Sequence, residues 1–236
     1  MSSPSYEVHY FPSPGRADLQ RMMLDVTGAQ YKNVFLYYMT TWPEVKETMP
    51  FGMVPKLVVL ESDGSRKVRH YELVECVAIE TYLAEVLDLV PGTGTAFDRA
   101  EALSVLSSLS ELEDKLRPSL WLPTLEARKT GHTTYCTETV PKYLKYHERF
   151  VSGDWYFGDK MTVADLKLYQ LYLWYEDMYA TVGQNPFKVL AADFPKLNKI
   201  VTALDKGKAG TYARSRREFG ALIWSAEQWI SVPQRT

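Results

Sequence analysis

The chain is poor in cysteine and histidine, with two and four of them in 236 residues. Cys76 and Cys136 form no CxxC, and His9, His70, His132 and His147 are scattered. This argues against a disulfide scaffold and a zinc site, so no metal is expected. An excess of either charge is also missing: 27 Lys and Arg stand against 29 Asp and Glu, a net charge of -2, and only Arg214, Arg216 and Arg217 cluster. Such a surface has no field to gather phosphates, and nucleic acid is not an expected partner. No uninterrupted apolar run approaches the roughly 18 residues that span a bilayer. The stretch from Met1 to His9 lacks the basic-then-apolar layout of a secretion signal. No membrane partner is expected, and the cytoplasm is the expected location. No internal repeat or low-complexity tract is visible.

What is present suits a folded core: 46% of the residues are hydrophobic and 24% charged, a balance typical of globular chains. The length allows one large domain or two small ones, and two are expected. Alternating Tyr6, Val8 and Tyr10 predict a strand over Tyr6–Phe11. After the break at Pro12 and Pro14, Leu19, Met22, Met23 and Val26 recur at helical spacing until Thr27-Gly28. The β-favouring run Val34–Tyr38 predicts a second strand, parallel to the first by a right-handed crossover. Thr41-Trp42-Pro43-Glu44 opens a short helix that Pro50 closes. Strands at Lys56–Leu60 and around Lys67–Tyr71 flank the turn Asp63-Gly64 as an antiparallel hairpin. A helix over Glu75–Val86 completes a βαβ-ββα order.

Pro91, Gly92 and Gly94 then gather between Leu89 and Ala96, which reads as a linker. The expected domains are residues 1–88 and 96–236. Beyond the linker, Phe97–Leu116, Tyr135–Phe150, Val163–Met178 and Phe194–Leu204 carry helical spacing without strand alternation, so the second domain is expected to be all-helical.

Several segments combine groups that suit ligand chemistry. Tyr10 ends the first strand just before a helix N-terminus, where the helix dipole and Arg16 favour an anion such as a thiolate; an ordinary half-buried strand tyrosine fits the same position. Met53-Val54-Pro55 enters a strand. A cis bond there would turn the Val54 backbone towards an extended peptide, and a trans proline at a strand start is the plainer alternative. Glu75-Cys76 opens a helix, where N–H groups attract a carboxylate and Glu75 can accept from an ammonium; helix capping is the simpler role. Trp42 and Lys46 lie four apart and share a helix face, offering an indole N–H and an ammonium to a carboxylate, or a packed Trp beside a solvated Lys. Thr162-Val163-Ala164-Asp165 has the form of a capping box. The aromatics Tyr169, Tyr172, Trp174, Tyr175 and Tyr179 read as core and interface.

The order of these segments resembles that of the cytosolic glutathione S-transferases over most of the chain, and in particular their sigma-like, Tyr-type members. Tyr10-Phe11 followed by Gly15-Arg16-Ala17-Asp18, then Trp42-Pro43-Glu44-Val45-Lys46, Pro50-Phe51-Gly52-Met53-Val54-Pro55 and the stretch from Trp155 to Asp165 are similar to successive motifs of that family. The resemblance implies an α/β thioredoxin-like N-terminal domain that binds glutathione, plus an all-α C-terminal domain with the electrophile site.

By the same resemblance, Tyr10 hydrogen-bonds the glutathione sulfur and Arg16 assists. Trp42 and Lys46 hold the glycyl carboxylate, Val54 before cis-Pro55 pairs with the cysteinyl backbone, and Glu75 with Cys76 holds the γ-glutamyl group. Met53, where the family often has a polar residue, lies in the same glutathione-contacting set. Cys76 replaces the usual Ser and is a weaker hydrogen-bond donor. Ser13-Pro14-Gly15-Arg16 is also similar to the Ser-type members, which makes Ser13 the alternative catalytic hydroxyl. The resemblance implies a homodimer that joins glutathione to a small apolar electrophile in detoxification or specialised metabolism. A glutathione-dependent double-bond isomerase and a non-catalytic binding protein on the same fold are the alternatives.

Overall fold

The computed structural model describes residues 4–62, 68–92, 94–120, 122–178 and 185–216. The expected turn at Asp63-Gly64, Tyr179 and Arg217 lie outside them. One compact unit comprises the chain up to Leu89 together with the segment that begins at Lys206; a second begins at Val90 and runs to Asp205.

The first unit is built on strands β1 (Ser5–Tyr10), β2 (Tyr31–Phe35), β3 (Lys56–Ser62) and β4 (Val68–Val74), with helices α1 (Asp18–Thr27), α2 (Thr41–Val45) and α3 (Cys76–Val86). The sheet order is β2-β1-β3-β4. β1 and β2 are parallel, while β3 is antiparallel to both β1 and β4. This is the mixed sheet of a thioredoxin-like domain. Tyr6, Val8 and Tyr10 alternate into the core while Ser5, Glu7 and His9 are half-buried, so the period-2 pattern seen in the sequence reports a real inner face. Leu19, Met22, Met23 and Leu24 bury one side of α1. Gly28 ends that helix at a left-handed φ of 77°, a conformation open to glycine without steric cost.

β2 differs from its predicted span, lying at Tyr31–Phe35 rather than Val34–Tyr38. Leu36 still donates to the Tyr10 carbonyl at 2.9 Å, but Tyr37 already turns away. The Tyr37 amide donates to Thr41 Oγ1 at 2.7 Å, and its carbonyl accepts from Trp42 N at 3.0 Å. Tyr37 and Tyr38 are 54% and 67% exposed; their strand propensity has no sheet face to fill, and the turn prevails.

The second unit contains helices α4 (Ala96–Leu120), α5 (Leu125–Thr134), α6 (Val140–Phe150), α7 (Val163–Met178), α8 (Leu190–Asp193) and most of α9 (Pro195–Lys206). No strand occurs there among the described residues. α7 is the central element, with Leu166, Leu168, Tyr169, Leu171 and Tyr175 fully buried. Thr162 and Asp165 form the capping box before it: Thr162 N and Oγ1 donate to Asp165 Oδ2 at 2.8 and 2.9 Å, and Tyr156 N donates to Oδ1 at 2.9 Å. Burial raises the Asp165 carboxyl to about 6, and these hydrogen bonds oppose the rise. His147 of α6 bridges two elements, sharing hydrogen bonds with Ser108 Oγ through Nε2 and with Tyr156 OH through Nδ1, each at 3.0 Å.

Helix α10 (Lys208–Ser215) returns to the first unit and packs on α1. Tyr212 OH donates to Asp18 Oδ1 at 2.8 Å, and Arg216 pairs with Asp18 Oδ2 at 2.5 Å. The helical region after residue 96 therefore does not belong to the second unit alone, because buried Asp18 draws this segment back.

Candidate active site

Strand register brings the site residues of the first unit together. His9 pairs with Lys56 across β1 and β3, and Lys56 pairs with Val74 across β3 and β4. The next residue on each strand path is then Tyr10, Pro55 or Glu75, so all three emerge at the same end of the sheet. The Val54–Pro55 peptide bond is cis. Glu75 takes a φ of 71° and precedes Cys76, the first residue of α3. A positive φ at a non-glycine residue is uncommon and costs roughly 1–3 kcal/mol, and such residues gather at ligand sites.

Tyr10 is 8% exposed, and its hydroxyl accepts the Arg16 backbone N–H at 3.1 Å. Arg16 belongs to a single 3₁₀ turn, Gly15–Ala17, that leads into α1. Gly15 makes this approach possible. Its φ is +48°, and a Cβ placed on it would lie 2.7 Å from both the Tyr10 hydroxyl and Cε1. Ser13 is 5% exposed, and its carbonyl accepts from Arg21 at 2.7 Å. The Cys76 thiol lies 4.0 Å from the Arg16 carbonyl, which links the start of α3 to the Tyr10 turn.

Phe11 joins Tyr10 to the α2 segment, with ring centroids 5.2 Å from Tyr10 and 5.6 Å, edge-on, from Trp42. Lys46 donates its backbone N–H to the Trp42 carbonyl, so the two residues follow one helical turn, with Trp42 half-buried and Lys46 exposed. Lys46 also starts a 3₁₀ turn, Lys46–Thr48, and its carbonyl accepts from Met49 at 3.2 Å. Met53 is 50% exposed and sits between that region and the cis bond.

Tyr10, Arg16, Cys76, Val54, Pro55 and Glu75 thus share one sheet end, Trp42 is joined to it through Phe11, and Lys46 and Met53 lie on the adjoining segment. Arg21, to which no motif in the sequence points, is completely buried, and its guanidinium holds three carbonyls of the loop after Tyr10. Its signal was a single cation within the apolar face Leu19, Met22, Met23 and Val26.

A thioredoxin-like sheet with a cis-proline at one end, in a chain whose second unit is helical among the described residues, defines the class of protein. Residues 110–208 match the glutathione S-transferase C-terminal domain family. The chain is 28% identical over 174 residues to the glutathione S-transferase class-mu 28 kDa isozyme of Schistosoma haematobium, covering 71% of this chain and 77% of that protein. It is also 28% identical over 197 residues to the hematopoietic prostaglandin D synthase of Gallus gallus, covering 82% and 87%. In fold it is similar to a sigma-class glutathione transferase of Fasciola hepatica, with a TM-score of 0.71 at 21% identity over 90% of this chain and 97% of that one. Residues 110–208 thus carry a glutathione S-transferase C-terminal domain, and the chain is similar in sequence and in fold to glutathione S-transferases.

Proposed function

We propose that this glutathione transferase uses Tyr10 to stabilise the thiolate of bound glutathione for addition to a small apolar electrophile. The observation that carries the reading is the Tyr10 hydroxyl, held by the Arg16 amide at the sheet end that also carries the cis bond and the start of α3. The donor set suits a zwitterionic peptide. The first N–H groups of α3 have no acceptor within the helix and suit a carboxylate, while Glu75 suits an ammonium. The Val54 backbone, turned by cis-Pro55, pairs with an extended chain in strand fashion, and Met53 flanks it. Cys76 contributes a thiol and a backbone N–H to the γ-glutamyl end. Trp42 Nε1 and Lys46 Nζ hold the remote carboxylate.

Glutathione supplies the thiol, which near pKa 8.5 is mostly protonated at neutral pH. Tyr10 donates a hydrogen bond to the sulfur as the thiol proton passes to solvent, and the Arg16 amide, by donating to the same hydroxyl, polarises it as a donor. Arg16 adds positive charge beside the developing thiolate. A unit of depression raises the thiolate population about tenfold. The hydroxyl of Ser13 is the alternative donor. Tyr10 is preferred because its own hydroxyl is the one joined to the α1 entry turn.

The similarity to a prostaglandin D synthase favours one second reading, in which the same thiolate rearranges a small apolar molecule and glutathione leaves unchanged. Under both readings the protein acts as a homodimer in the cytoplasm, in detoxification or specialised metabolism. Calorimetric titration with glutathione, followed by ultraviolet thiolate absorbance at neutral pH, tests the proposal. Binding with a thiolate signal that disappears in Tyr10→Phe is expected. Binding without that signal would remove Tyr10 from the chemistry, and no binding at millimolar glutathione would overturn the transferase reading.

A further inference from the structure

Arg21 is among the largest side chains with no exposed surface, and it sits on the apolar side of α1. Burial pulls its guanidinium below the ordinary value, against the influence of Tyr212 and Asp18, yet an arginine at this depth stays charged. Placing a cation there is costly unless its donors are used. Nε donates to Asn33 Oδ1 at 2.7 Å; Nη1 donates to the Ser13 carbonyl at 2.7 Å and the Pro14 carbonyl at 3.4 Å; Nη2 donates to the Phe11 carbonyl at 3.3 Å. The planar fork thus grips the whole loop that follows Tyr10. The same group lies over aromatic faces, with Cζ 5.7 Å from the Tyr10 ring centroid and 5.8 Å from that of Phe35.

These contacts close a ring. From the Tyr10 ring the path runs to the Arg21 guanidinium, then to the carbonyls of Phe11, Ser13 and Pro14, then along the chain to the Arg16 amide, which returns to the Tyr10 hydroxyl. We propose that Arg21 is a positioning residue for the reaction: its fork fixes the distance between the Arg16 amide and the Tyr10 hydroxyl, and its charge on the ring face makes that hydroxyl a stronger donor. A cation over an aromatic face is attracted to the ring's electrons and draws density from the phenol oxygen, which favours release of its proton. Lysine does not reproduce this, because a single ammonium cannot hold three carbonyls and an amide in one plane. The inference rests on the assignment of Tyr10 as the thiolate donor, and it explains why α1 buries an arginine where an apolar residue would pack.

The test uses the full-length protein with ¹³Cζ-labelled tyrosine, the Tyr10 resonance being identified by its loss in Tyr10→Phe. Without glutathione, Tyr10 in Arg21→Lys is expected to titrate at higher pH than in the wild type. With glutathione, the bound thiol is expected to ionise at higher pH and kcat to fall about tenfold while the KM for glutathione stays within about threefold, the split expected for a group acting on the sulfur rather than on peptide binding. Asn33→Ala removes one anchor of the fork and leaves the loop contacts, so it is expected to give the same changes at smaller size and to stand in where Arg21→Lys does not fold. Unchanged Tyr10 titration and kcat, with only a lowered melting temperature, would reduce Arg21 to packing and overturn the proposal. Full turnover in Tyr10→Phe would instead sink the assignment of Tyr10, while the ligand-free titration would still decide whether Arg21 governs that phenol.

Discussion

Gly15 holds no ligand-binding side chain, yet it decides where Tyr10 can sit. Its φ of +48° disfavours any other residue, and a methyl group there meets the Tyr10 ring at 2.7 Å. Gly15→Ala is therefore expected to lower stability by about 1–3 kcal/mol in a denaturant titration and to reduce turnover more than that loss explains. The phenol must shift away from the Arg16 amide to admit the methyl. Tyr10→Phe removes the hydroxyl without disturbing the packing and is expected to cut kcat about 10- to 100-fold with glutathione affinity nearly unchanged. Ser13→Ala is the matching control. Its backbone carbonyl, the group that Arg21 uses, survives the substitution, and steady-state kinetics are expected to match the wild type. A silent Tyr10→Phe beside an inactive Ser13→Ala would exchange their roles.

At the scale of elements, the α2 segment and the second unit behave differently from the sheet. Lys46 meets the peptide far from the sulfur, so Lys46→Ala is expected to weaken glutathione binding about tenfold by calorimetry and leave kcat within about twofold. In α6, burial lowers His147 to about 4 from its ordinary 6.5. The unfolded chain then binds the proton more readily, so this group's contribution is full above about pH 6.5 and is lost as pH falls towards 4, by roughly 3 kcal/mol in all. Asp165 works the other way: its folded value of about 6 lies above the ordinary 3.8, so its contribution declines as pH rises through that interval. Melting temperatures from pH 4 to 7 are expected to climb less steeply in His147→Gln than in the wild type. Parallel profiles would show that His147 titrates alike in the folded and unfolded chain.

The elements also separate what the sequence displays from what it conceals. The β1 alternation, the Gly28 stop and the α7 capping box are local patterns with local causes, and each is legible. α5 is not, because it buries Arg128 and His132 in place of an apolar stripe, and hydrophobic spacing is the signal that sequence reading follows. Tyr135–Phe150 read as one helix. The structure gives a π-turn over Tyr135–Thr139 before α6, which begins next to Pro141; proline cannot donate to the preceding turn, and the wider turn accommodates it. At the site, motif order brought forward Tyr10, Trp42, Lys46, Val54, Pro55, Glu75 and Cys76. It could not bring forward Arg21, most of whose partners are backbone carbonyls, which carry no side-chain signature.

Over the whole molecule, the first unit is completed by residues from the far end of the chain. Asp18, 1% exposed, is held by Tyr212 and Arg216. Removing one member of a buried ion pair leaves the other charge stranded, so Arg216→Met is expected to destabilise the fold by about 3–5 kcal/mol. Asp18→Asn combined with Arg216→Met is expected to recover part of that loss, and a double-mutant cycle in urea measures the coupling. No helix among the described residues is long and apolar enough to cross a membrane. In light scattering the native protein is expected to show twice the mass of one chain. The return of α10 also imposes an order on biosynthesis. Asp18 leaves the ribosome 198 residues ahead of Arg216, an interval of roughly 10–40 s at ordinary elongation rates. Through that time the thioredoxin-like sheet can form while its α1 carboxylate still awaits both partners, so a nascent chain arrested before Lys208 holds the site's strands without the helix that packs on α1.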